Sequence, residues 1–373
     1  MAATVLRNLV RVSVIPNYSI IRHSCSRLFS SNARTSFAVI YEQNGDPKTV
    51  LKSKEHPLPS KIKDNEILVK MLMSPINPAD INMIEGTYMI KPPLPAIAGN
   101  EGVGEVVETG DNVKKFKPGD WILPLKTGSG TWQTHAVYSE SDVQKIPNDI
   151  PPLVAATIAV NPCTAYRMMK DFVKLEPGDV IIQNGANSGV GQAVIQLASA
   201  WGLRTVNIVR TRPDIDALTA DLKSQGATHV VTEEFCRTPD MKTLIKDLGK
   251  APKLGFNCVG GKAATELLRN LAPNGYMVTY GGMSKQPVTV PTGVFIFKSL
   301  KLVGFWMSQW NTDNFNTPQK TEMMLDLCHL ARQSKLLAPI SDLVPITSFD
   351  KAIAEALRGF SKKQILVMDK TLL

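Results

Sequence analysis

The chain has 373 residues, 43% of them apolar and 20% charged, and it carries nine more basic than acidic side chains. This length accommodates two domains of ordinary size, and the composition predicts packed cores instead of a disordered chain. The longest apolar stretches fall well short of the roughly 20 residues that cross a membrane, so no transmembrane segment is expected.

The first 35 residues differ from the rest of the chain because they contain no acidic side chain. The first acidic residue is Glu42, and the segment before it is rich in serine and contains five arginines, at positions 7, 11, 22, 27 and 34. This composition is typical of a mitochondrial transit peptide, with a disordered basic tail as the alternative. We predict import into the mitochondrial matrix and cleavage near Ser30–Thr35. Without these arginines the positive excess falls from nine to four, so no nucleic-acid partner is expected.

Residues 37–160 have the pattern of a mostly β domain. Alternating apolar residues predict strands at Glu66–Met73 and Gly102–Gly110, and the Lys117–Asp120 turn leads into a third strand at Trp121–Pro124. Glycine and proline residues near these short strands favour bends and bulges. The pattern predicts a partly open barrel.

Residues 161–310 predict strands that alternate with helices. Helical patterns separate five short apolar runs, at Val180–Ile182, Thr205–Val209, His229–Thr232, Leu254–Cys258 and Tyr276–Tyr280. Continuous apolar strands are expected where helices cover both faces of a sheet. The pattern therefore predicts a doubly wound parallel sheet.

The tail, residues 311–373, contains two helical stretches and one strand, at Gln319–Gln333, Phe349–Phe360 and Gln364–Met368. Such a tail can return to complete the first domain. We predict that residues 37–160 and 311–373 form the catalytic domain and that residues 161–310 are inserted into it as a nucleotide-binding domain.

A glycine-rich turn, Asn184–Gly191, links the run at Val180–Ile182 to an amphipathic helix, Gln192–Ala200. Strand, glycine turn and helix in this order are typical of dinucleotide sites. Glycine lets the backbone approach a pyrophosphate, and the helix N-terminus offers free N–H groups to it. A second strand, Thr205–Val209, follows at the spacing that this fold requires. The alternative is a tight turn in an enzyme without a nucleotide.

The residues after the second strand select the cofactor. Sites for NAD usually carry an acidic residue there, which binds the ribose 2′-hydroxyl. This chain has Arg210, Thr211 and Arg212 instead, and guanidinium groups bind phosphate oxygens through paired hydrogen bonds. We predict NADPH as the cofactor, with these three residues at its 2′-phosphate. The alternative is a pair of solvated loop arginines.

The sequence carries four family motifs, at Pro95–Gly102, Lys117–Asp120, Asn184–Gly191 and Asn257–Gly261. Through them it resembles the medium-chain dehydrogenase/reductase superfamily, in which a Rossmann domain is inserted into a GroES-like catalytic domain. Within that superfamily it is similar to the zinc-free enoyl-thioester reductases of mitochondrial fatty acid synthesis. The narrower resemblance is carried by six segments, at Asn77–Tyr88, Gly128–Trp132, Val160–Tyr166, Tyr280–Met283, Gly304–Trp310 and Lys362–Ile365.

A departure from the zinc alcohol dehydrogenases of the superfamily bears on the chemistry. Those enzymes carry a zinc-binding histidine where this chain has Asn100, and a four-cysteine lobe where residues 110–150 contain no cysteine. We therefore expect no metal, and alcohol oxidation would lack its Lewis acid. Reduction of an activated double bond does not need one, because the thioester carbonyl stabilises the developing enolate.

The resemblance implies a role for several residues. Tyr88 would donate a proton, since a phenol is protonated at neutral pH; the alternative is a tyrosine that only packs beside the site. Asn161 would lie near the nicotinamide or simply begin a helix, and Lys363 would reach the cofactor or remain a solvated charge. The other implied contacts are Asn187, Ser188, Gly189 and Val190 at the pyrophosphate, Arg210, Thr211 and Arg212 at the 2′-phosphate, and Tyr280, Gly281, Gly282, Met283, Phe305, Trp306 and Met307 beside the nicotinamide and the acyl path.

The implied reaction is the NADPH-dependent reduction of trans-2-enoyl groups carried on coenzyme A or acyl carrier protein. Hydride would go to C3 and a proton to C2. A homodimer is expected, and Lys114, Lys115 and Lys117 could contact an acidic carrier protein. Two alternatives stay open. A zinc-free quinone or enone reductase would share NADPH without a long acyl site, and an NADPH-binding regulator would need no proton donor.

Overall fold

The computed structural model describes residues 34–359 and 362–373. The predicted transit peptide, residues 1–35, therefore lies almost entirely outside the described residues. Within the described ranges, no helix combines the length and the apolar character needed to cross a bilayer.

Eight strands occupy the first part of the chain: β1 Thr35–Tyr41, β2 Leu51–Pro57, β3 Glu66–Pro75, β4 Ala96–Ile97, β5 Val103–Thr109, β6 Trp121–Pro124, β7 His135–Ser139 and β8 Val143–Ile146. Strand β1 pairs antiparallel with β2 and β4. Strand β3 pairs antiparallel with β5 and β7, and β6 links β5 to β8. The three predicted strands are confirmed, and the described strands form sheets that do not close into a barrel.

Four helices accompany these strands: α1 Pro47–Val50, α2 Pro78–Ile84, α3 Pro152–Thr157 and α4 Asn161–Asp171. Each has a proline in its first turn. Proline suits that position because the first N–H groups of a helix have no partner within it, so the missing donor is not needed. Helix α2 leads into the loop that carries Tyr88, and α4 begins at Asn161, so these two helices position two of the predicted site residues.

Six parallel strands form the second sheet: β9 Val180–Asn184, β10 Arg204–Val209, β11 His229–Thr232, β12 Leu254–Asn257, β13 Tyr276–Thr279 and β14 Lys301–Gly304. Their order is β11–β10–β9–β12–β13–β14. The connecting helices are α5 Gly189–Ala200, α6 Ile215–Ser224, α7 Pro239–Asp247, α8 Gly261–Asn270 and α9 Thr292–Lys298. The five predicted strands and the doubly wound parallel arrangement are confirmed. The sixth strand, β14, was not predicted, and it lies at the edge with no fully buried residue.

The tail contains α10 Met307–Asp313, α11 Pro318–Arg332, β15 Ser341–Pro345, α12 Phe349–Arg358 and β16 Lys363–Val367. Strand β16 pairs parallel with β15 and antiparallel with β3, with Ile365 opposite Pro75. The tail therefore returns to the first sheet, as the sequence predicts. Strands on either side of residues 160 and 310 join different sheets, while the domain boundaries at these positions remain a prediction.

One cluster of buried apolar side chains joins the two sheets. It contains Met73 from β3, Val103 from β5, Ile181 from β9, Phe256 from β12 and Ile365 from β16. Burial of a side chain of this size stabilises the fold by about 1.5–3 kcal/mol. This shared core fixes the end of the parallel sheet against the sheet that the tail completes.

Candidate active site

Close packing explains two glycines of the predicted nucleotide turn, which joins β9 to α5. Gly185 has a φ of +60°, and a Cβ at this position would lie 2.4 Å from the sulfur of Cys258. A Cβ on Gly191 would lie 2.5 Å from the carbonyl oxygen of Ala186. Any larger residue at Gly191 would push against backbone, which cannot move without reshaping the turn.

The N-terminus of α5 has the properties of an anion site. Ser188 is its N-cap, and the Ser188 hydroxyl accepts a hydrogen bond from the Gly191 N–H at 3.1 Å. The N–H groups of Gly189 and Val190 lie in the first turn, where helix geometry gives them no partner within the helix. Asn187 precedes the cap, and its carbonyl accepts from Gln192 Nε2 at 2.9 Å. The turn thus presents free donors and the positive end of a helix dipole, as a pyrophosphate requires.

A pair of buried asparagine side chains holds the ends of two neighbouring strands together. Asn184 Nδ2 donates to Asn257 Oδ1 at 2.8 Å, and Asn184 Oδ1 accepts from the Cys258 N–H at 2.9 Å. Asn257 also accepts from the Gly260 N–H at 3.0 Å and donates to Thr279 Oγ1 at 3.1 Å. These amides connect the nucleotide turn, which follows β9, to the loop that follows β12. Sequence reasoning did not assign them this role.

Tyr280 to Met283 follow β13 at the same edge of the sheet. The hydroxyl of Tyr280 is buried beside the thiol of Cys258 and the hydroxyl of Ser188, and neither contact has ordinary hydrogen-bond geometry. Burial raises the pKa of this phenol. A Cβ on Gly281 would lie 3.1 Å from the Cys258 carbonyl oxygen, whereas Gly282 faces open space and Met283 is exposed. A buried hydroxyl near the N-cap of α5, next to open space at Gly282, suits a polar ligand.

The Arg210–Arg212 segment directly follows β10, where the sequence predicts the 2′-phosphate. Arg212 forms a paired ion contact with Asp214, with Nε–Oδ1 at 2.6 Å and Nη2–Oδ2 at 3.0 Å. The Thr211 hydroxyl donates to the carboxylate of Glu234. Arg212 and Thr211 thus already bind carboxylate oxygens, and a phosphate offers oxygen acceptors of the same kind.

Tyr88 and Trp306 meet although they are far apart in the chain. Trp306 Nε1 donates to the Tyr88 hydroxyl oxygen at 2.8 Å, and the two rings pack edge to face with centroids 6.1 Å apart. Ser308 Oγ lies 3.4 Å from the same oxygen. The N–H groups of Thr87 and Tyr88 both donate to the Asn82 carbonyl of α2, at 2.9 and 3.0 Å. The phenol is therefore oriented from both sides, and Ser308 is a neighbour that sequence reasoning missed.

Phe305 and Met307, which flank Trp306 in the chain, make packing contacts. Phe305 lies edge to face with Phe172, with centroids 6.2 Å apart, and Met307 is buried in the core that joins the two sheets. Trp306, which lies between them, makes the hydrogen bond to Tyr88. The packing of Phe305 and Met307 thus helps to hold the segment that carries Trp306 in place.

A buried polar cluster lies at the start of α2. Asn77 donates through Nδ2 to Glu101 Oε2 at 2.7 Å and through its backbone N–H to Asp80 Oδ2 at 2.7 Å. Asn100 donates to Asp80 Oδ1 at 2.6 Å. Burial raises the pKa of Asp80 to about 6 and that of Glu101 to about 7, and the nearby ammonium of Lys363 opposes both shifts. Asn77, Asp80 and Glu101 were not singled out from the sequence.

Two predicted cofactor residues belong to this cluster. The ammonium of Lys363 donates to Asn77 Oδ1, and burial lowers its pKa while Glu101 counteracts that effect. Asn161 Nδ2 also points to Asn77 Oδ1, at 3.4 Å. A Cβ on Gly189 would lie 2.9 Å from Asn161 Nδ2, so Asn161 sits between the cluster and the start of α5.

The described residues contain no group of three or more His, Cys, Asp or Glu side chains that could hold a metal ion. Asn100, which occupies the position of the zinc-binding histidine, donates to Asp80 and accepts from the Gly128 N–H at 2.5 Å. Its side chain is thus used in hydrogen bonds within the protein.

Comparison with known proteins identifies the family. The sequence matches two protein-family models, "Alcohol dehydrogenase GroES-like domain" over residues 63–148 and "Zinc-binding dehydrogenase" over residues 189–326. Mitochondrial enoyl-[acyl-carrier-protein] reductase from Homo sapiens is 53% identical over 332 residues, which are 89% of this chain and 88% of the human protein. The protein of the same name from Caenorhabditis elegans is 40% identical over 90% of this chain and 96% of its own length.

Solved structures give the same result. The complex of the thioester reductase Etr1p with NADP and crotonyl-CoA has a TM-score of 0.83 and 37% sequence identity, covering 90% of this chain and all of the other. A putative NADPH:quinone reductase from Bacillus thuringiensis has a lower TM-score, 0.77, and 27% identity, over 90% of this chain and 99% of the other. The chain therefore belongs to the mitochondrial enoyl-thioester reductases, within the medium-chain dehydrogenase/reductase superfamily.

Proposed function

We propose that this NADPH-dependent enoyl-thioester reductase adds hydride to C3 of a trans-2-enoyl thioester and that Tyr88 supplies the proton to C2. The observation that carries the proposal is the 2.8 Å hydrogen bond from Trp306 Nε1 to the Tyr88 hydroxyl oxygen. With that oxygen already accepting from an indole, the phenolic proton is free to point at a substrate. The mitochondrial location of the enzyme and the NADP in the complex of its relative agree with this chemistry.

The protein's own contribution is to place and stabilise charge. NADPH, when bound, supplies the hydride, and the carbon–carbon double bond becomes single as C3 receives hydride and C2 receives the proton. Loss of that proton leaves a phenolate on Tyr88, and the Trp306 N–H then makes a charge-assisted hydrogen bond, which is about twice as strong as a neutral one. The Ser308 hydroxyl, 3.4 Å from the Tyr88 oxygen, is placed to relay a proton from solvent water to the phenolate, which restores the phenol and leaves hydroxide in the solvent.

The residues at the sheet edge fit NADPH. We place the pyrophosphate on the N–H groups of Gly189 and Val190, next to Asn187 and Ser188. Arg210, Thr211 and Arg212 would hold the 2′-phosphate after exchanging their acidic partners for it. Asn161 would face the nicotinamide, together with the segments Tyr280–Met283 and Phe305–Met307. The hydroxyl of Tyr280, which is buried near Ser188 of the nucleotide turn, supports this placement.

An enoyl-CoA substrate is favoured over a quinone by the comparisons. The Etr1p structure, which holds crotonyl-CoA, is more similar in sequence and fold than the putative quinone reductase. A proton donor beside the nicotinamide site would also have no use in a protein that only binds NADPH. Both observations support reduction of an enoyl thioester as the reaction of this site.

Replacement of Tyr88 by Phe tests the function directly. The substitution keeps the ring packed against Trp306 but removes the donor, so kcat with 2-hexenoyl-CoA should fall by about 10²- to 10⁴-fold, the usual contribution of a general acid. The KM for NADPH and the melting temperature should change little. In parallel assays, the wild-type enzyme should have a much lower kcat/KM for a quinone than for 2-hexenoyl-CoA. Full activity of the Phe variant on the enoyl-CoA would remove Tyr88 from the mechanism.

Replacement of Arg210 and Arg212 tests the proposed site for the 2′-phosphate of NADPH. Arg210→Ala combined with Arg212→Ala removes two charge-assisted contacts of roughly 1.5–3 kcal/mol each, so the KM for NADPH should rise about a hundredfold or more. The KM for NADH should hardly change. Arg269→Ala, on the exposed face of α8, serves as the control for loss of positive charge. Equal losses for both cofactors would contradict a 2′-phosphate site.

A second copy of the chain is the proposed partner of the sheet edge. Strand β14 is the last of the parallel strands and is hydrogen-bonded to β13; the adjacent α9 exposes Phe295, Ile296 and Phe297, the last at 87%. Exposed apolar residues beside an open strand are a typical association surface. Sedimentation should give twice the chain mass, and Phe297→Glu should shift it towards the monomer. A wild-type protein that sediments as a monomer at all concentrations would rule this out.

The exposed lysines 114, 115 and 117 are the proposed contact for an acidic carrier protein. They lie in the turn between β5 and β6, where Glu140 accepts from the N–H groups of Lys114 and Lys115. Replacing the three lysines by Glu should raise the KM for a carrier-bound enoyl substrate, since like charges repel, and leave the KM for the coenzyme A form unchanged. Equal effects on both substrates would argue against docking at this turn.

A further inference from the structure

Both polar atoms of the Asn77 side chain make hydrogen bonds within its cluster. Its Nδ2 donates to Glu101, and its Oδ1 accepts from Lys363 and, at 3.4 Å, from Asn161. Asn77, Asp80 and Glu101 are each at most 3% exposed. Two carboxyl groups are thus buried beside one neutral amide, which the half-buried Lys363 also contacts.

The same cluster connects the two parts of the proposed active site. Asn77 is the N-cap of α2, and the carbonyl of Asn82 in that helix receives the N–H of Tyr88 at 3.0 Å. On the other side, Asn161 begins α4, and the preceding Val160 N–H donates to Glu101 Oε1 at 2.7 Å. Asn77 and Glu101 therefore bind the segment of the proton donor to the segment of the nicotinamide residue.

Stability alone does not explain these groups. Buried charges lose hydration, and replacement of a buried ion cluster by apolar residues of similar volume is often neutral or stabilising. What the cluster provides is a fixed arrangement, since each oxygen of Glu101 has a different donor and Asn77 has one orientation that satisfies all its neighbours. Turning the amide would bring its NH₂ group against the ammonium of Lys363.

We propose that Asn77 and Glu101 are positioning residues for the reduction, because their paired hydrogen bonds set the distance between Tyr88 and the nicotinamide residue Asn161. The proposal rests on the proposed function, in which Tyr88 gives the proton and Asn161 faces the nicotinamide. An error of about 1 Å in such a distance can slow a reaction about a hundredfold without abolishing binding.

Glu101→Gln replaces one hydrogen-bond acceptor of the cluster by a donor. The oxygen of the new amide can accept from the Val160 N–H or from Asn77 Nδ2, but in either orientation its NH₂ group faces the other donor. We expect kcat for 2-hexenoyl-CoA to fall about 10- to 100-fold, with the KM for NADPH within about threefold of the wild-type value. Glu42→Gln, which changes an exposed carboxylate, is the matched control and should have wild-type kinetics.

In the double variant Asn77→Asp/Glu101→Gln, each hydrogen-bond donor of the cluster again faces an acceptor, and the carboxylate now lies at position 77 instead of position 101. The amide introduced at position 101 can accept from the Val160 N–H and donate to the carboxylate introduced at position 77. That carboxylate can still accept from Lys363 and Asn161. We expect kcat to return to within about threefold of wild type. Wild-type kcat in Glu101→Gln, or no recovery in the double variant, would overturn the proposal.

Three further measurements separate positioning from stability and from the role of Tyr88. Melting temperatures of all variants should not follow kcat, and the solvent deuterium isotope effect on kcat should rise in Glu101→Gln as proton transfer slows. In a Tyr88→Phe background, Glu101→Gln should cost less than about twofold, because the step it assists is already lost. The proposal would be overturned if Glu101→Gln lowered kcat by the same factor in the Tyr88→Phe background as in the wild-type enzyme. It would also be overturned if kcat followed the melting temperature across the variants.

These results also distinguish the two proposals. If Tyr88→Phe has wild-type kcat, the proposed proton donor is wrong, and positioning of Tyr88 is wrong with it. If Tyr88→Phe is slow while Glu101→Gln is not, the proposed function stands and only the positioning role of the cluster is lost.

Discussion

The antiparallel pairing of β16 with β3 is the constraint on which the site depends. It places Ile365 opposite Pro75, and the ion pair between Lys70 Nζ and Asp369 Oδ2, at 2.6 Å, holds the far end of the same pair of strands. Bringing such distant segments together costs chain entropy, but this cost grows only slowly with loop length. Burial of Ile365 in the shared core offsets this entropy cost. The same strand places Lys363 within hydrogen-bonding distance of Asn77.

Two buried polar groupings serve the site by different physical means. The Asn184–Asn257 pair is uncharged and fully hydrogen-bonded, so it fixes two loops at little cost. The cluster at Asn77 contains carboxyl groups whose pKa values rise to about 6 at Asp80 and about 7 at Glu101. A raised carboxyl pKa favours folding below the unfolded value, near 4, and this contribution is lost as the pH rises towards 6–7. At neutral pH these buried carboxyl groups therefore lower the stability of the fold.

Local patterns in the sequence predict the strands and the nucleotide turn because their causes are local. Continuous apolar runs mark the buried strands, and the glycines of Asn184–Gly191 are needed by contacts within a few residues or with the adjacent strand. Strand β14 was not predicted because it lies at the edge of the sheet and has no fully buried face. Its sequence therefore lacks the apolar periodicity from which strands are predicted. The resemblance supplied Tyr88 and Trp306, but not the hydrogen bond between them.

The cluster at Asn77 could not be predicted from the sequence for a different reason. Asn77, Glu101 and Lys363 come from three distant segments, and each alone has the pattern of an ordinary polar residue. Pairing of β3 with β5 brings Asn77 close to Glu101, and pairing of β16 with β3 adds Lys363. Pairing partners in a sheet are not encoded by the residues nearby. The same holds for Ser308, which reaches Tyr88 because α10 follows β14 directly.

The placement of β16 has a consequence for shortened forms of the protein. Residues 363–373 supply a strand of the first sheet, the ammonium beside Asn77 and the carboxylate that pairs with Lys70. A form without these residues would keep every residue of the nucleotide turn, yet β3 would lose one of its three strand partners and Asn77 its cation. Loss of this short segment is therefore expected to damage the site although the nucleotide turn is intact.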